Sequence, residues 1–441
     1  MPTSSPANVR LTTLKNFRQT VYVSALGPAR DALFELTDAI LLAPALNSFA
    51  ELSLSPVFRR RWPMLYEALQ DGRPDRATLL DLYIAQIPRT ARPLLAGDHT
   101  AWSRLSAYTL RDRTLEHQPT KIPGAKPITV GQGFSTVVWV PESQGSWAPP
   151  LLHERINSTE SPISKMVAQL RETCPRIHQR LRQRPIVLLD SEYGCAPFVN
   201  GSADLPCDKI VRLRPNLCLW GPPPPYGGKG RYPKHGAKFK LKVSATWGEP
   251  DETLTVADPQ LGRVKLSLWR NQHFKKAATQ PLWVLHIERL EARGTRRDPK
   301  DLWVAWVGEA PPPLAEWWRL YLRRFAVDHW YRFAKGPLHW TLPQLKTPEQ
   351  AERWSDLMPL VTWELWLARA VVADKPLPWQ KAQTHLTPGR VRQGMGGILA
   401  QIGTPACVPK PRGKAPGWLK GRARSPVPQY PIVKKSSAKA A

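Results

Sequence analysis

The sequence predicts an α/β protein, a mixed sheet flanked by helices, entered through a helical segment and interrupted by a strand-rich insertion. Three changes of pattern carry that expectation. Apolar residues recur close to every 3.6 positions up to about residue 90, the period then drops towards two, and the helical period returns after about residue 307.

Residues 1–90 hold "FRQTVYVSALGPARDALFELTDAILL", "FRRRWPMLYEALQDG" and "RPDRATLLDLYIAQIP", all with helical spacing. In 91–208, "ARPLLAGDHTAW" is a short apolar run ending in an acid, as at the exit of a buried strand. "ITVGQGFSTVVWVPE" and "SWAPPLLHERI" are two further strands, rich in Val, Thr and aromatics. "SPISKMVAQLRETCPRIHQRLRQ" is a helix, with Ser161 or Ser164 as its cap and Pro162 in the first turn. "RPIVLLDSEYG" follows, an apolar run that stops at Asp190 and has the look of a fully buried parallel strand.

Residues 209–307 form the insertion, where "KIVRLRP", "AKFKLKVSATW", "VKLSLW" and "PLWVLHIERL" alternate with Gly/Pro loops such as the basic "GPPPPYGGKGRYPKHG". Helices return over 308–374. Residues 375–441 contain no acid and are rich in Pro, Gly, Lys and Arg, so this tail is expected to be disordered.

Charge narrows the function. The chain of 441 residues carries 63 Lys plus Arg against 35 Asp plus Glu, a net of +28. That excess favours a polyanionic partner, nucleic acid above all. No apolar run is long enough to span a bilayer and the N-terminus lacks a secretory apolar region, so a cytoplasmic protein without a membrane partner is expected. Five scattered cysteines without a C-x-x-C motif argue for reduced thiols rather than a disulfide framework or zinc ribbon.

The chemistry lies in the acids at strand ends. In a strand–strand–strand–helix–strand order, Asp98 sits on the first strand and Asp190 at the tip of the fourth. If those strands are neighbours, the two carboxylates converge at one end of the sheet. They repel unless a cation lies between them, and a hard divalent ion with oxygen ligands meets that need. A third carboxylate from a later helix would complete a two-ion site of the kind that clamps the attacking and leaving oxygens of a phosphodiester.

"YLRRFAVDHWYRFAK" supplies that acid. On a continuous helix residues seven apart differ by about 20° from two full turns. Tyr321, Asp328 and Lys335 would then share one stripe, with Arg324 and Arg332 one turn either side of Asp328.

The spacing of Tyr321, Arg324, Asp328 and Lys335 resembles the Y-R-E-K signature of bacterial insertion-sequence DDE transposases. "GDHTAW" resembles that family's first-aspartate strand and "VLLDSEYG" its second-aspartate motif, with the strand-rich insertion falling between the second and third acids. The resemblance covers roughly 90–345. It implies an RNase H-like core in two parts, 91–208 and 308–374, around the β-rich insertion of 209–307. It also implies Asp98, Asp190 and Asp328 as catalytic ligands of two Mg2+ ions, with Mn2+ as a substitute. Tyr321, Arg324, Arg332 and Lys335 would grip DNA. The expected partners are double-stranded DNA, as terminal inverted repeats and target, and a second copy in a homodimer. The helices of 1–90 would serve DNA recognition and dimerisation.

The expected reaction is metal-dependent cleavage at element ends followed by transfer of the 3′-OH into target DNA. A catalytically inactive or domesticated DNA-binding relative, or a nuclease without strand transfer, are the alternatives. This sequence departs from the signature at Asp328, which stands where the family has Glu and is one methylene shorter; Glu364 on the next helix is the substitute ligand to consider. Glu192 reads as solvated, and His99, His329 and His339 as packed or exposed histidines near the motifs. Any of Trp220, Trp269 and Trp283 could face a base, but core packing is the simpler role for each.

Overall fold

The computed structural model describes residues 6–89, 92–117, 127–143, 145–228, 230–259, 261–291, 301–309, 311–411, 417, 421, 423 and 425–435. Four helices come first: α1 (Pro6–Ser24), α2 (Arg30–Leu42), α3 (Pro63–Asp71) and α4 (Arg76–Ala85). Pro63 opens α3 at a position where a missing N–H costs nothing, and the Asp75 side chain caps α4 by accepting from the Ala77 and Thr78 amides.

Then come β1 (Leu94–Ser103), β2 (Thr114–His117), β3 (Ile128–Trp139) and β4 (Pro150–Ile156). Next are α5 (Pro162–Leu181), β5 (Ile186–Leu189), the short α6 (Ala196–Gly201) and β6 (Asp208–Arg212). Ser161 caps α5 in a reciprocal box with Ser164, so both candidate serines take part in the cap.

β3 pairs antiparallel with β1 on one side, and its other edge is shared by β2 and β4. β1, β5 and β6 run parallel. Ignoring the short β2, the order β4–β3–β1–β5–β6 is that of an RNase H-like core. β5 has all four residues buried, as expected of a strand covered on both faces. Gly97 makes that cover possible, because a Cβ there would lie 2.7 Å from both the Leu189 Cδ2 and the Met166 Cε of α5.

The insertion holds β7 (Cys218–Trp220), β8 (Lys238–Lys240), β9 (Glu252–Asp258), β10 (Gly262–Gln272), β11 (Leu282–Arg289) and β12 (Leu302–Val307). It is continuous with the core. β12 pairs antiparallel with β6, and β11, β10 and β9 follow in turn, so among the described residues one ten-stranded sheet runs through both. The open edge of β6 is thereby hydrogen-bonded rather than left bare. β7 and β8 form a separate hairpin.

Helices α7 (Leu314–Leu322), α8 (Ala326–Lys335) and α9 (Pro348–Ala368) return to the core. α9 is buried along most of its length and receives α1, α2 and α3 on one side and β4 on another. Glu364 of α9 lies in this interface with the Arg18 guanidinium, which also holds Asp38 at 2.8 Å. Two of the three arginines of "FRRRW" are likewise structural: Arg59 and Arg60 hold the buried Glu35 and the carbonyls of Ala406 and Cys407.

The expected disordered tail needs correction over part of its length. Pro388–Ile402 is a helix, α10, packed on α2 and α9 through Val391, Met395 and Ile398. Its apolar side overrides the polar, Gly-rich composition. Further on, Val433 bridges to Thr114 beside β2, and Lys435 pairs with the buried Glu116 at 2.6 Å. Residues 412–416, 418–420, 422, 424 and 436–441 of the tail lie outside the described residues.

Among the described residues no helix is long and apolar enough to cross a membrane. The five cysteines are free. The Trp residues serve mostly as core: Trp102, Trp306, Trp317, Trp318, Trp330, Trp340, Trp354 and Trp363 are fully buried. Trp269 packs with Phe239, Trp247 and Trp303, and Trp283 lies under the Arg270 guanidinium.

Candidate active site

The register of β1 and β5 decides where the first two acids lie. Gly97 pairs with Leu189, so Asp98 and Asp190, one residue further on each parallel strand, emerge at the same end and on the same face. Asp98 is largely buried. Burial pushes its pKa up to about 6, the neighbouring Arg324 pulls it down, and the Asp190 charge pushes it up again. Its Oδ1 accepts from the His99 amide at 2.7 Å, and its Oδ2 accepts from Arg324 at 3.1 Å. Asp190 Oδ1 accepts from the Glu192 amide at 2.9 Å, as a residue does at a strand–loop transition.

The third motif does not form one continuous helix. α7 ends at Leu322, Arg323–Phe325 forms a 3-10 turn, and α8 begins at Ala326. Three residues at ~120° rather than ~100° add about 60° of rotation, which takes Tyr321 off the Asp328 stripe. Tyr321 is buried, its pKa pushed up to about 12 chiefly by that burial, with Arg324 and Arg212 opposing.

Arg324 remains on the Asp328 side. It donates to Asp98 and, at 3.3 Å, to Asp328 Oδ2, and so bridges strand and helix. Asp328 is more open to solvent than Asp98, at 41 % against 15 % side-chain exposure. Lys335 donates to Thr100 Oγ1 at 2.7 Å, two residues beyond Asp98 on β1. Arg332 is exposed and lines a cleft with His329.

Asp98, Asp190, Asp328, Tyr321, Arg324 and Lys335 therefore gather where β5 ends beside the middle of β1, and Arg332 lies one helical turn beyond Asp328. Glu364 does not join them, because it is buried with Arg18 and Asp38. Glu192 faces Arg214 at 3.9 Å. His339 Nε2 donates to the Pro44 carbonyl, 2.9 Å away, which gives it a packing role.

Sequence reasoning passed over Tyr331. Its hydroxyl lies 2.9 Å from the Asp98 carbonyl and 2.8 Å from Thr136 Oγ1, and Thr136 is 2.8 Å from His153 Nδ1. Burial among Phe134, Trp330 and Trp340 lowers the His153 pKa to about 3, so this chain ends on a neutral imidazole. The only signal for Tyr331 was its place three residues after Asp328 on an amphipathic helix.

The all-oxygen donors of Asp98 and Asp190, one raised in pKa by the other, suit a hard divalent cation. Among the described residues, however, no three or more His, Cys, Asp or Glu side chains stand close enough to share a metal. Asp328 is joined to Asp98 through the Arg324 cation, which stands between the two carboxylates.

The family model described as DDE superfamily endonuclease matches residues 22–275, a stretch that includes Asp98 and Asp190 and stops short of Asp328. No curated protein matches in sequence. Among solved structures, the chain is similar to the piggyBac transposase in its cryo-EM synaptic complex with hairpin DNA. The identity is 11 %, over 90 % of this chain and 80 % of that one, with a TM-score of 0.40. With more than half of its length matched by the family model, the chain belongs to the DDE superfamily endonucleases.

Proposed function

We propose that the protein is a DNA transposase that cuts element ends and joins the freed 3′-OH to target DNA. The observation that supports it most is the parallel pairing of β1 with β5, which brings Asp98 and Asp190 side by side next to the α7–α8 segment, where α7 carries Tyr321, the 3-10 turn Arg324, and α8 Asp328 and Lys335. Asp98 and Asp190 would hold Mg2+ or Mn2+, and Asp328 would join them once Arg324 turns to a phosphate. A bound divalent ion would supply the charge that stabilises a phosphodiester transition state and makes water nucleophilic near neutral pH.

This chain's own residues do the rest. Arg324 neutralises Asp98 and Asp328 while no phosphate is present, and its planar fork suits bidentate phosphate binding. Tyr331 fixes the backbone at Asp98. Lys335, held at Thr100, brings a cation to the β1 side, and Arg332 offers another one turn beyond Asp328. The N-terminal helices would read terminal inverted repeats within a homodimer.

A strand-cleavage and joining assay on inverted-repeat duplexes, with Mg2+ or Mn2+, tests this. Wild type should cut and join, Asp190→Ala should do neither, and Asp328→Ala should lose at least a hundredfold in rate, on the scale of electrostatic groups acting on a transition state. Cleavage by Asp190→Ala as fast as wild type would sink the assignment.

The Arg324 bridge between Asp98 and Asp328 favours a second reading, a DNA-binding relative disabled at its third ligand. Inert wild type with recovery in Asp328→Glu would select it. Cutting without joined products would select a nuclease.

A further inference from the structure

From Lys209 to Gly248 the chain carries Lys209, Arg212, Arg214, Lys229, Arg231, Lys234, Lys238, Lys240 and Lys242 and no acid. The fold assigns two of these elsewhere: Lys209 is buried against the Ser202 carbonyl, and Arg212 lines a cavity of about 360 Å³ with Tyr321. Lys229 lies outside the described residues. The others belong to the β7–β8 hairpin and its approaches.

Along β8 and the two residues after it, Phe239 and Leu241 are buried whereas Lys238, Lys240 and Lys242 are exposed. Phe239 packs edge-on against Trp269 and Trp303, so the alternation of the strand pins the apolar side to the core and sets the three lysines outward. Lys275 and Lys276 join this surface from the end of β10. Lys238 and Lys275 both lie over the Trp220 ring, 5.5 and 5.7 Å from its centroid. None of Lys234, Lys238, Lys240, Lys242, Lys275 and Lys276 forms an ion pair among the described residues; nearby Glu252 is engaged by Arg270. Two cations over one ring, with further lysines beside them and no counter-charge, repel one another until an anion arrives.

Position gives the patch its meaning. β5 and β6 are parallel, and the hairpin leaves β6 at the end where β5 delivers Asp190. Arg214, at the exit of β6, reaches towards Glu192 just after Asp190. The basic surface is therefore an outward continuation of the active-site edge of the sheet. Tyr226 and Tyr232, stacked at 5.2 Å and both exposed, stand in the connecting loop.

We infer that the β7–β8 hairpin, with Lys238, Lys240 and Lys275 at its centre, is a second DNA-binding surface that holds the phosphate backbone of duplex beyond the cleavage point, without reading sequence. The inference rests on the DNA-cutting function proposed above, and its test separates the two. Fluorescence anisotropy of the full-length protein with a 30-base-pair duplex (about three turns), titrated over a range of salt, reads the number of phosphates neutralised. Each lost contact lowers the slope of log K against log salt by about 0.9.

The triple variant Lys238→Gln/Lys240→Gln/Lys275→Gln should reduce that slope by about 2 to 3 and weaken binding alike on unrelated sequences. The corresponding triple Lys→Arg variant should keep the slope, and circular dichroism should show both variants folded. Asp98→Asn, which touches only the cleavage site, should leave the Lys→Gln effect intact. A reduced slope in a protein that never cuts DNA upholds the surface and overturns the transposase. An unchanged slope in a protein that cuts overturns the surface alone, as does a loss confined to phosphatidylserine vesicles with duplex binding unaltered. Wild type that binds no duplex overturns both.

Discussion

Arg324 donates to Asp98 at 3.1 Å across 226 residues of sequence, and with its other nitrogen it holds Asp328. A cation thus already stands between two acids expected to share metal ions. In Arg324→Gln the positive charge is gone, and the three carboxylates should bind Mn2+ more tightly in the absence of DNA. Electron paramagnetic resonance titration should show at least a fivefold gain (about 1 kcal/mol). Equal or weaker Mn2+ binding would mean that Arg324 does not compete with the ion.

Asp98 itself should cost stability at neutral pH. Its folded pKa, about 6, lies above the ordinary 3.8, so the folded state disfavours its charge. The cost is absent below about pH 4, grows through the interval to about 6, and is constant above it. Asp98→Asn, measured without divalent ions, should therefore unfold later than wild type at pH 7.5, by up to about 3 kcal/mol. The gain should vanish near pH 4, and a gain independent of pH would show that burial of the charge is not its source.

His153 acts in the opposite sense. Its folded pKa, about 3, lies below the ordinary 6.5, so its contribution to stability is complete above 6.5 and declines as pH falls towards 3. The slope from this group is about 1.4 kcal/mol per pH unit in that window. Denaturant unfolding of His153→Gln between pH 4 and 7 should lack this component, and the wild-type ring should show no titration by NMR between pH 5 and 8.

The buried trio of Arg18, Asp38 and Glu364 ties the N-terminal helices to α9. Arg18→Met leaves two carboxylates without their cation in a dry interface and should cost about 3–5 kcal/mol. Glu364→Gln should be milder and should leave DNA cleavage per folded molecule unchanged. Loss of cleavage in a folded Glu364→Gln protein would return this residue to the catalytic candidates.

Lys435 pairs with Glu116, a buried acid at the sheet edge that also accepts from Thr114. Removing residues 428–441 should destabilise the protein by about 3 kcal/mol, and Glu116→Gln in the shortened chain should restore most of that. A truncation with an unchanged thermal midpoint would show that the tail contacts at Val433 and Lys435 do not contribute to stability.

Much of the site was legible because it is written in short-range pattern. The apolar runs before Asp98 and Asp190 predict two strands, and the RNase H-like order makes those strands neighbours, although β1 does not end at its acid but runs on to Ser103 in its pairing with β3. Tyr321, Arg324 and Lys335 were selected by their spacing around Asp328, although the 3-10 turn at Arg323–Phe325 rotates Tyr321 away from it. Tyr331 was missed because an inward-facing Tyr on a helix looks like any core residue until its hydroxyl is seen to meet the Asp98 carbonyl.

The sequence by itself determined the succession of helices and strands, the cap at Ser161, the polyanion-seeking charge and the order of the three aspartates. These follow from side-chain period and local sterics, which act within a few residues. Only the tertiary structure decided that the insertion extends the core sheet, that Glu364 belongs to Arg18, that part of the tail returns as α10, and that Arg324 stands between Asp98 and Asp328. Each of these is a pairing between residues far apart in the chain. Partners of this kind are chosen by desolvation and by the demand of buried charges and strand edges for a counterpart, and that demand exists only once the chain has closed on itself.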